Sequence, residues 1–356
     1  MSRHWRCAVI GANTVGQTHI RVIPRLGNAT LVAVCDTRPA NGQAAIEKAG
    51  HSGVPVYERA VDMLAREKID VLHVCTPSGL HGEHSMLAID RGIHVICEKP
   101  LEIALDRIDG LIEAADKRGV RVAAIYQNRW NEANRAIKHA ADEGRFGRVA
   151  WAGCFTPWYR PDKYYSDGGW RGTWALDGGG AVMNQSVHNI DLLQWIAGPV
   201  KAVSAFASSR IHAGIETEDT CTVALQFKSG AFGTIVGTTA MFPGMPARLE
   251  IGGEDGTAVQ ENGLRVFKFR DERPGDQELA ERLAPASKPT GGATGVASNA
   301  AAMGNDLHAR NLQAIFSAWD EGRDAETNGP ESRKAVAIVL AIYESVRRGG
   351  APVDVR

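Results

Sequence analysis

Short apolar runs separated by helical-looking stretches dominate the first 125 residues: CAVIGA (7–12), TLVAVCD (30–36), VLHVCTP (71–77), HVICEKP (94–100) and VRVAAIYQ (120–127). A strand with one face in water alternates apolar and polar residues. These runs are apolar almost throughout, which places both of their faces in a core. Buried strands alternating with helices predict an α/β fold built on a doubly wound parallel sheet. Such sheets bind ligands beyond the carboxyl ends of their strands, so the residues that follow each run are the first candidates for chemistry.

The first run ends in GANTVG, with Gly11, Asn13 and Gly16 where a dinucleotide fingerprint has three glycines, and Thr14 and Val15 leading into the next helix. In that fingerprint the first glycine makes the tight turn, the second lets the backbone approach a pyrophosphate and the third lets the helix pack closely. Asn13 departs from it. Asparagine tolerates positive φ better than most residues, so the turn can survive the change. Asp36 lies twenty residues past Gly16, at the end of the second run. A carboxylate there accepts hydrogen bonds from ribose hydroxyls and repels a 2′-phosphate, which favours NAD. Arg38, two residues later, could receive that phosphate, so NADP stays open. Thr76, Pro77 and His81 follow the third run, and Glu98 and Lys99 the fourth; all five are candidate cofactor contacts, and Lys99 is also a candidate for the substrate.

At 356 residues the chain exceeds what one core normally fills, so two domains are expected. Forty basic against forty-one acidic residues leave no positive surplus to attract phosphate backbones, which argues against a nucleic-acid partner. No signal-like segment and no run of about 18 apolar residues stands out, so neither secretion nor membrane insertion is expected and the reading is cytoplasmic. The six cysteines are too scattered for metal-ligand spacing or a disulfide framework and read as small core residues; no metal site is expected.

In the second half, RVAWAGCFTPWYR begins a new sheet. Seven aromatic residues then fall from Phe155 to Trp174, interleaved with Arg160 and Arg171. Aromatic faces beside guanidinium groups suit stacking on sugar C–H faces and hydrogen bonds to hydroxyls or carboxylates, and make Tyr159 and Arg160 candidate substrate contacts. A domain-interface cluster explains them equally well. The stretch GGGAVMNQSVHNIDLLQ (178–194) places Asn184, His188 and Asp191 at i, i+4 and i+7, which on a regular α-helix share a face. Later segments alternate between SG, GG, EDG and NG turns, as antiparallel strands do. Residues 274–303, rich in Pro, Gly and Ala, read as a long loop that is either mobile or a lid.

GANTVG, CTPSGLH, CEKPL and GGGAVMNQSVHNIDLLQWIAG, in this order, resemble the Gfo/Idh/MocA family of sugar and cyclitol oxidoreductases, over nearly the whole chain apart from about residues 270–303. The resemblance implies a Rossmann domain (1–125), a substrate and oligomerisation α/β domain with a large, mostly antiparallel sheet (126–310), and C-terminal helices (311–356) packing back on the first domain. It implies a homo-oligomer, dimer or tetramer, through that sheet, and a small carbohydrate substrate. Lys99 would contact both cofactor ribose and substrate, and Lys99–Pro100 is a candidate cis peptide. Trp170 and Arg171 would lie near the nicotinamide. The family's histidine falls on His188 and its aspartate on Asn184. The second is a departure, because an amide cannot take up a proton or carry charge, though it can hold a substrate hydroxyl.

The implied activity is NAD-dependent hydride transfer from a secondary alcohol of a sugar, sugar acid, cyclitol or sugar nucleotide. His188 would accept the hydroxyl proton, Lys99 polarise the oxygen and Asn184 orient the substrate. Gly178, Gly179 and Gly180 would let the helix start approach a bound ring. Two other activities remain open: a glycoside hydrolase that retains NAD, and a dinucleotide-sensing regulator without chemistry.

Overall fold

The computed structural model describes residues 3–167, 169–285 and 300–356. The chain divides into two compact units, Met1–Gln127 with Ala300–Arg333, and Asn128–Asn299 with Lys334–Arg356.

The strands of the first unit are β1 (Trp5–Ile10), β2 (Ala29–Cys35), β3 (Val56–Tyr57), β4 (Val71–Val74), β5 (His94–Cys97) and β6 (Val122–Ala124). They form one parallel sheet in the order β3-β2-β1-β4-β5-β6. Between them run α1 (Thr14–Val22), α2 (Pro39–Lys48), α3 (Ala60–Arg66), α4 (His81–Ile89) and α5 (Leu105–Arg118). Every apolar run contains a strand. In the third and fourth the strand stops at Val74 and Cys97, and the polar tails Thr76–Pro77 and Glu98–Lys99 leave the ladder at the carboxyl edge. Strand order reverses between β1 and β4, where doubly wound sheets open a ligand crevice. The core includes Val9, Ile20, Val34, Val71 and Ile96, all fully buried. Trp5 closes it by stacking on Phe316, with ring centres 5.6 Å apart.

The second unit holds α6 (Glu132–Asp142), α7 (Asp162–Ser166), α8 (Val187–Ala197) and α9 (Asp276–Arg282). Its strands are β7 (Val149–Pro157), β8 (Val200–Ser208), β9 (Thr220–Phe227), β10 (Phe232–Thr238), β11 (Arg248–Gly253), β12 (Gly256–Gln260), β13 (Leu264–Phe269) and β14 (Val353–Asp354). The sheet order is β13-β12-β11-β7-β10-β9-β8-β14, antiparallel except for β7 beside β10. Along β9, Cys221, Val223, Leu225 and Phe227 are buried while Thr222 and Ala224 are exposed. Cross-strand register carries the exposed face to Phe206, opposite Thr222, and to Phe232, opposite Gln226 and Trp151. Phe206 is 70% and Phe232 63% exposed, so this face presents large rings to the outside.

The C-terminal helices are α10 (Ala300–Asp320) and α11 (Gly329–Arg347). α10 belongs to the first unit, where it buries Leu312, Ile315 and Phe316. The expectation that 311–356 as a whole packs on the first domain needs correction, because α11 from Lys334 onward and β14 belong to the second unit. Ser345 Oγ accepts the Ala205 N–H at 2.9 Å, and β14 extends the large sheet beside β8. Of the long 274–303 segment, Asp276–Arg282 is helical and 286–299 lies outside the described residues, as does any lid formed there. All six cysteines are buried and free, as core residues should be. Among the described residues no helix is long and apolar enough to cross a membrane.

Candidate functional site

The turn after β1 is built for close backbone approach. Gly11 has φ +88°, and a Cβ there would stand 2.5 Å from the Cys75 carbonyl oxygen; one on Gly16 would stand 1.8 Å from the Gly11 carbonyl oxygen. Both positions therefore exclude any other residue, as the first and third glycines of the fingerprint require. Asn13 is extended (φ −80°) at the N-cap position of α1, with no side-chain capping hydrogen bond, so the turn does not draw on its tolerance of positive φ. Asp36 is buried at the end of β2. Its Oδ2 accepts the Ala12 N–H at 2.9 Å, and its Oδ1 accepts the Arg38 N–H at 2.9 Å and Asn41 Nδ2 at 3.1 Å. The carboxylate braces the glycine turn, and its remaining lone pairs suit ribose hydroxyls. A glycine cradle, an open helix start and a strand-end carboxylate fit a dinucleotide.

At the next two strand ends the residues part company. Lys99 is the only partly exposed residue from Val95 to Glu102, with a cis peptide to Pro100. Glu98, expected to touch cofactor, is instead buried, with Oε1 3.1 Å from His19 Nε2 and 3.3 Å from His308 Nε2, and with Oε2 accepting the Lys99 N–H at 3.2 Å. His81 is buried as well. Its Nε2 lies 2.8 Å from the Thr76 carbonyl oxygen and its Nδ1 2.7 Å from that of Pro100; burial lowers the ring's pKa, and a neutral ring donates to only one of the two. Thr76 lies beside it with Oγ1 3.2 Å from His84 Nδ1.

In the second unit the residues after the glycines form a π-helical segment, Ala181–Ser186, before α8 begins. Of the three polar residues only Asn184 lies in that segment; His188 and Asp191, three residues apart, lie in the regular α8. Asp191 pairs with Arg129, Nε to Oδ2 at 2.7 Å and Nη2 to Oδ1 at 2.5 Å, both residues 1% exposed. Asn184 donates through Nδ2 to Asp177 Oδ1 at 2.5 Å, and Asp177 Oδ2 accepts the Gly172 N–H at 2.8 Å. Asp177 was not anticipated. It brings a carboxylate to the neighbourhood where the amide of Asn184 has none, and the only signal for it was its place directly before the glycines. His188 is the one partly exposed residue from Ala181 to Gln194.

Two of the three glycines are required by the protein's own packing. A Cβ on Gly179 would come within 1.9 Å of the Tyr343 hydroxyl, and one on Gly180 within 1.8 Å of the Glu218 carbonyl oxygen. Glu218 pins the start of the segment, accepting the Val182 N–H at 2.8 Å, the Gly180 N–H at 3.1 Å and the Tyr343 hydroxyl at 3.0 Å. Burial pushes its carboxyl up to about 7, against the pull of those donors. The unfolded chain titrates this group near 4.5, so the stability gained by burying it neutral is complete below that pH and lost as pH rises through 7. Glu218→Gln is therefore expected to flatten the fall in Tm between pH 5 and 8 relative to the unmodified protein, measured by thermal denaturation; parallel curves would refute the assignment.

The aromatic segment forms a polar network in the same unit. Arg160 Nη2 donates to Gln185 Oε1 at 2.8 Å, and Gln185 Nε2 donates to the Tyr164 hydroxyl at 2.7 Å and to Asn184 Oδ1 at 2.9 Å. Arg171 lies over the Tyr164 ring at 4.4 Å and the Trp170 ring at 5.1 Å. Tyr159 packs edge-on against Phe242 at 5.2 Å. Arg160, through Gln185, is thus coupled to Asn184.

Residues 5–126 match the family model described as "Oxidoreductase family, NAD-binding Rossmann fold", and residues 134–259 the one described as "GFO/IDH/MocA C-terminal domain". The chain is 32% identical to the WlbA dehydrogenase from Bordetella pertussis, solved in complex with NADH and UDP-GlcNAcA, with 99% of each chain covered and a TM-score of 0.86. It is 29% identical over 212 residues to the D-glucoside 3-dehydrogenase of Escherichia coli (strain K12), spanning 58% of each. It is 30% identical over 227 residues to the 1,5-anhydro-D-fructose reductase of Ensifer adhaerens, spanning 63% of this chain and 66% of that one.

Proposed function

Because the chain belongs to the Gfo/Idh/MocA family of NAD-binding oxidoreductases, we propose that it interconverts a secondary alcohol and its ketone on a sugar, sugar acid, cyclitol or sugar nucleotide. One observation in each unit supports this reading: Lys99 is the partly exposed residue of an otherwise buried Val95–Glu102, and His188 that of an otherwise buried Ala181–Gln194. The turn Gly11–Gly16, with Asp36 and Arg38, would hold the dinucleotide. NAD, when bound, supplies the hydride acceptor. His188 takes the proton of the substrate hydroxyl, a task suited to an imidazole whose ordinary pKa is near 6.5. Lys99 polarises the oxygen that loses it. Asn184, held by Asp177 and Gln185, orients the substrate, and Arg160 steadies Gln185.

The test is a panel of aldoses, inositols, uronates and UDP-sugars, each with NAD and with NADP, followed at the nicotinamide absorbance band. NADH formation with at least one member is expected. Turnover without NADH accumulation would replace this reading with the glycoside hydrolase, and silence across the panel with the regulator.

The exposed face of the large sheet supports a homo-oligomer. Rings as open as Phe206 and Phe232 are rarely left to water on a monomer when they share a face. The double substitution Phe206→Asp and Phe232→Asp is expected to yield monomers by light scattering after size exclusion. An unchanged mass would place the interface elsewhere.

A further inference from the structure

Four side chains from three elements and a strand-end loop of the first unit form a buried chain beside Lys99: His73 on β4, His19 on α1, Glu98 just past β5 and His308 on α10. His73 Nδ1 and His19 Nδ1 are 2.9 Å apart, and Nε2 of both His19 and His308 converge on Glu98 Oε1. The chain lies at the point where strand order reverses, and Lys99 follows Glu98 directly.

The proton positions can be worked out. A carboxylate only accepts, so the Nε2 atoms of His19 and His308 both carry hydrogens. A neutral His19 then has a bare Nδ1, which accepts from the Nδ1–H of His73. His73 Nε2, buried without a partner, is left as a lone pair rather than an orphaned N–H. Burial keeps the His19 and His73 rings neutral. Burial also opposes ionisation of Glu98, but the two N–H bonds outweigh it and hold the carboxyl well below its usual range.

His19, Glu98 and His308 each offer a ligand atom within 4.8 Å of the other two, a spacing that could also suit a divalent cation. An ion would need both Nε2 atoms bare. That would drive the His19 proton onto Nδ1, turn His73 into an acceptor there, and leave its buried Nε2–H without a partner. The surroundings of His73 therefore favour the hydrogen-bonded arrangement.

We infer that His19 and His308, backed by His73, are metal-free positioning residues that hold an ionised Glu98, which seats the Lys99 backbone and places a fixed negative charge at the strand-end rim, favouring the cationic, oxidised coenzyme. The consequence for turnover rests on the function proposed for Lys99; the proton positions do not.

Nitrogen-15 spectra of the full-length protein labelled at histidine are expected to show the His19 proton on Nε2, and metal analysis of the same sample to show no stoichiometric zinc. Glu98→Gln is expected to weaken NAD+ binding roughly fivefold more than NADH binding. His308→Leu is expected to lower kcat roughly tenfold by loosening Lys99, and His308→Gln, which can still donate to Glu98, to recover most of it. A proton on His19 Nδ1, one zinc per chain, equal losses of NAD+ and NADH affinity, or a glutamine no better than leucine at 308 would each overturn the inference. Lys99→Met with unaltered turnover would remove the functional reading instead, and the ring-proton and zinc results would then decide the chain by themselves.

Discussion

Replacing His188 with alanine is expected to lower kcat by about 10²- to 10⁴-fold, the range a positioned acid–base group contributes, while NADH binding is unchanged. His188 lies at the second position of α8, flanked by the buried Val187 and Asn189, so its backbone is held by packing that the substitution leaves in place. Truncation at a partly exposed ring removes a proton acceptor without opening a core cavity. The fall should therefore appear in kcat, with Tm within a few degrees of the parent. Steady-state kinetics on any substrate identified by the panel, with NADH titration by fluorescence, separates the two effects. Parent-like turnover would end the assignment of His188 as the base, and lost NADH affinity would move it to cofactor binding.

What could be read in advance was what local chemistry determines. The buried strands of the first unit were legible because apolar runs on a parallel sheet need no partner to be recognised, whereas the two-residue β3 carries too little pattern to register. Gly11 and Gly16 were legible because their constraint is steric and local. The backbone of Asn13 was not legible, since its type permits positive φ but its place at the start of α1 does not call for it. The π-helical turn that holds Asn184 was not legible, because a regular α-helix was assumed from Asn184 to Asp191. Glu218 and Tyr343, 125 residues apart, meet only in the folded unit, so nothing near the glycines announced what those glycines accommodate. The partners that Glu98 and His81 find inside the unit were not legible, because proximity to a ligand edge does not say which way a side chain turns.

Arg129→Leu is expected to destabilise the second unit by about 3–5 kcal/mol, the cost of leaving a buried charge without its partner, or roughly 10 °C in Tm for a unit of this size. Arg129 and Asp191 make a two-point contact with both side chains 1% exposed, and the guanidinium lies 5.1 Å from the centre of the Trp195 ring. Leucine would keep much of the apolar contact but strand the Asp191 carboxylate where water does not reach. The same reasoning predicts recovery. In the double variant Arg129→Leu with Asp191→Leu no charge is buried, and apolar replacement of a buried pair is often neutral or favourable, so most of the loss should return. Thermal and urea denaturation of the two variants measure this directly. A single variant within about 1 kcal/mol of the parent would mean that solvent reaches the pair, and a double variant as unstable as the single would mean that geometry, rather than the stranded charge, sets the cost. Either result bears on function, because α8 carries Asp191 and His188 three residues apart, and an ion pair that anchors one fixes the direction of the other.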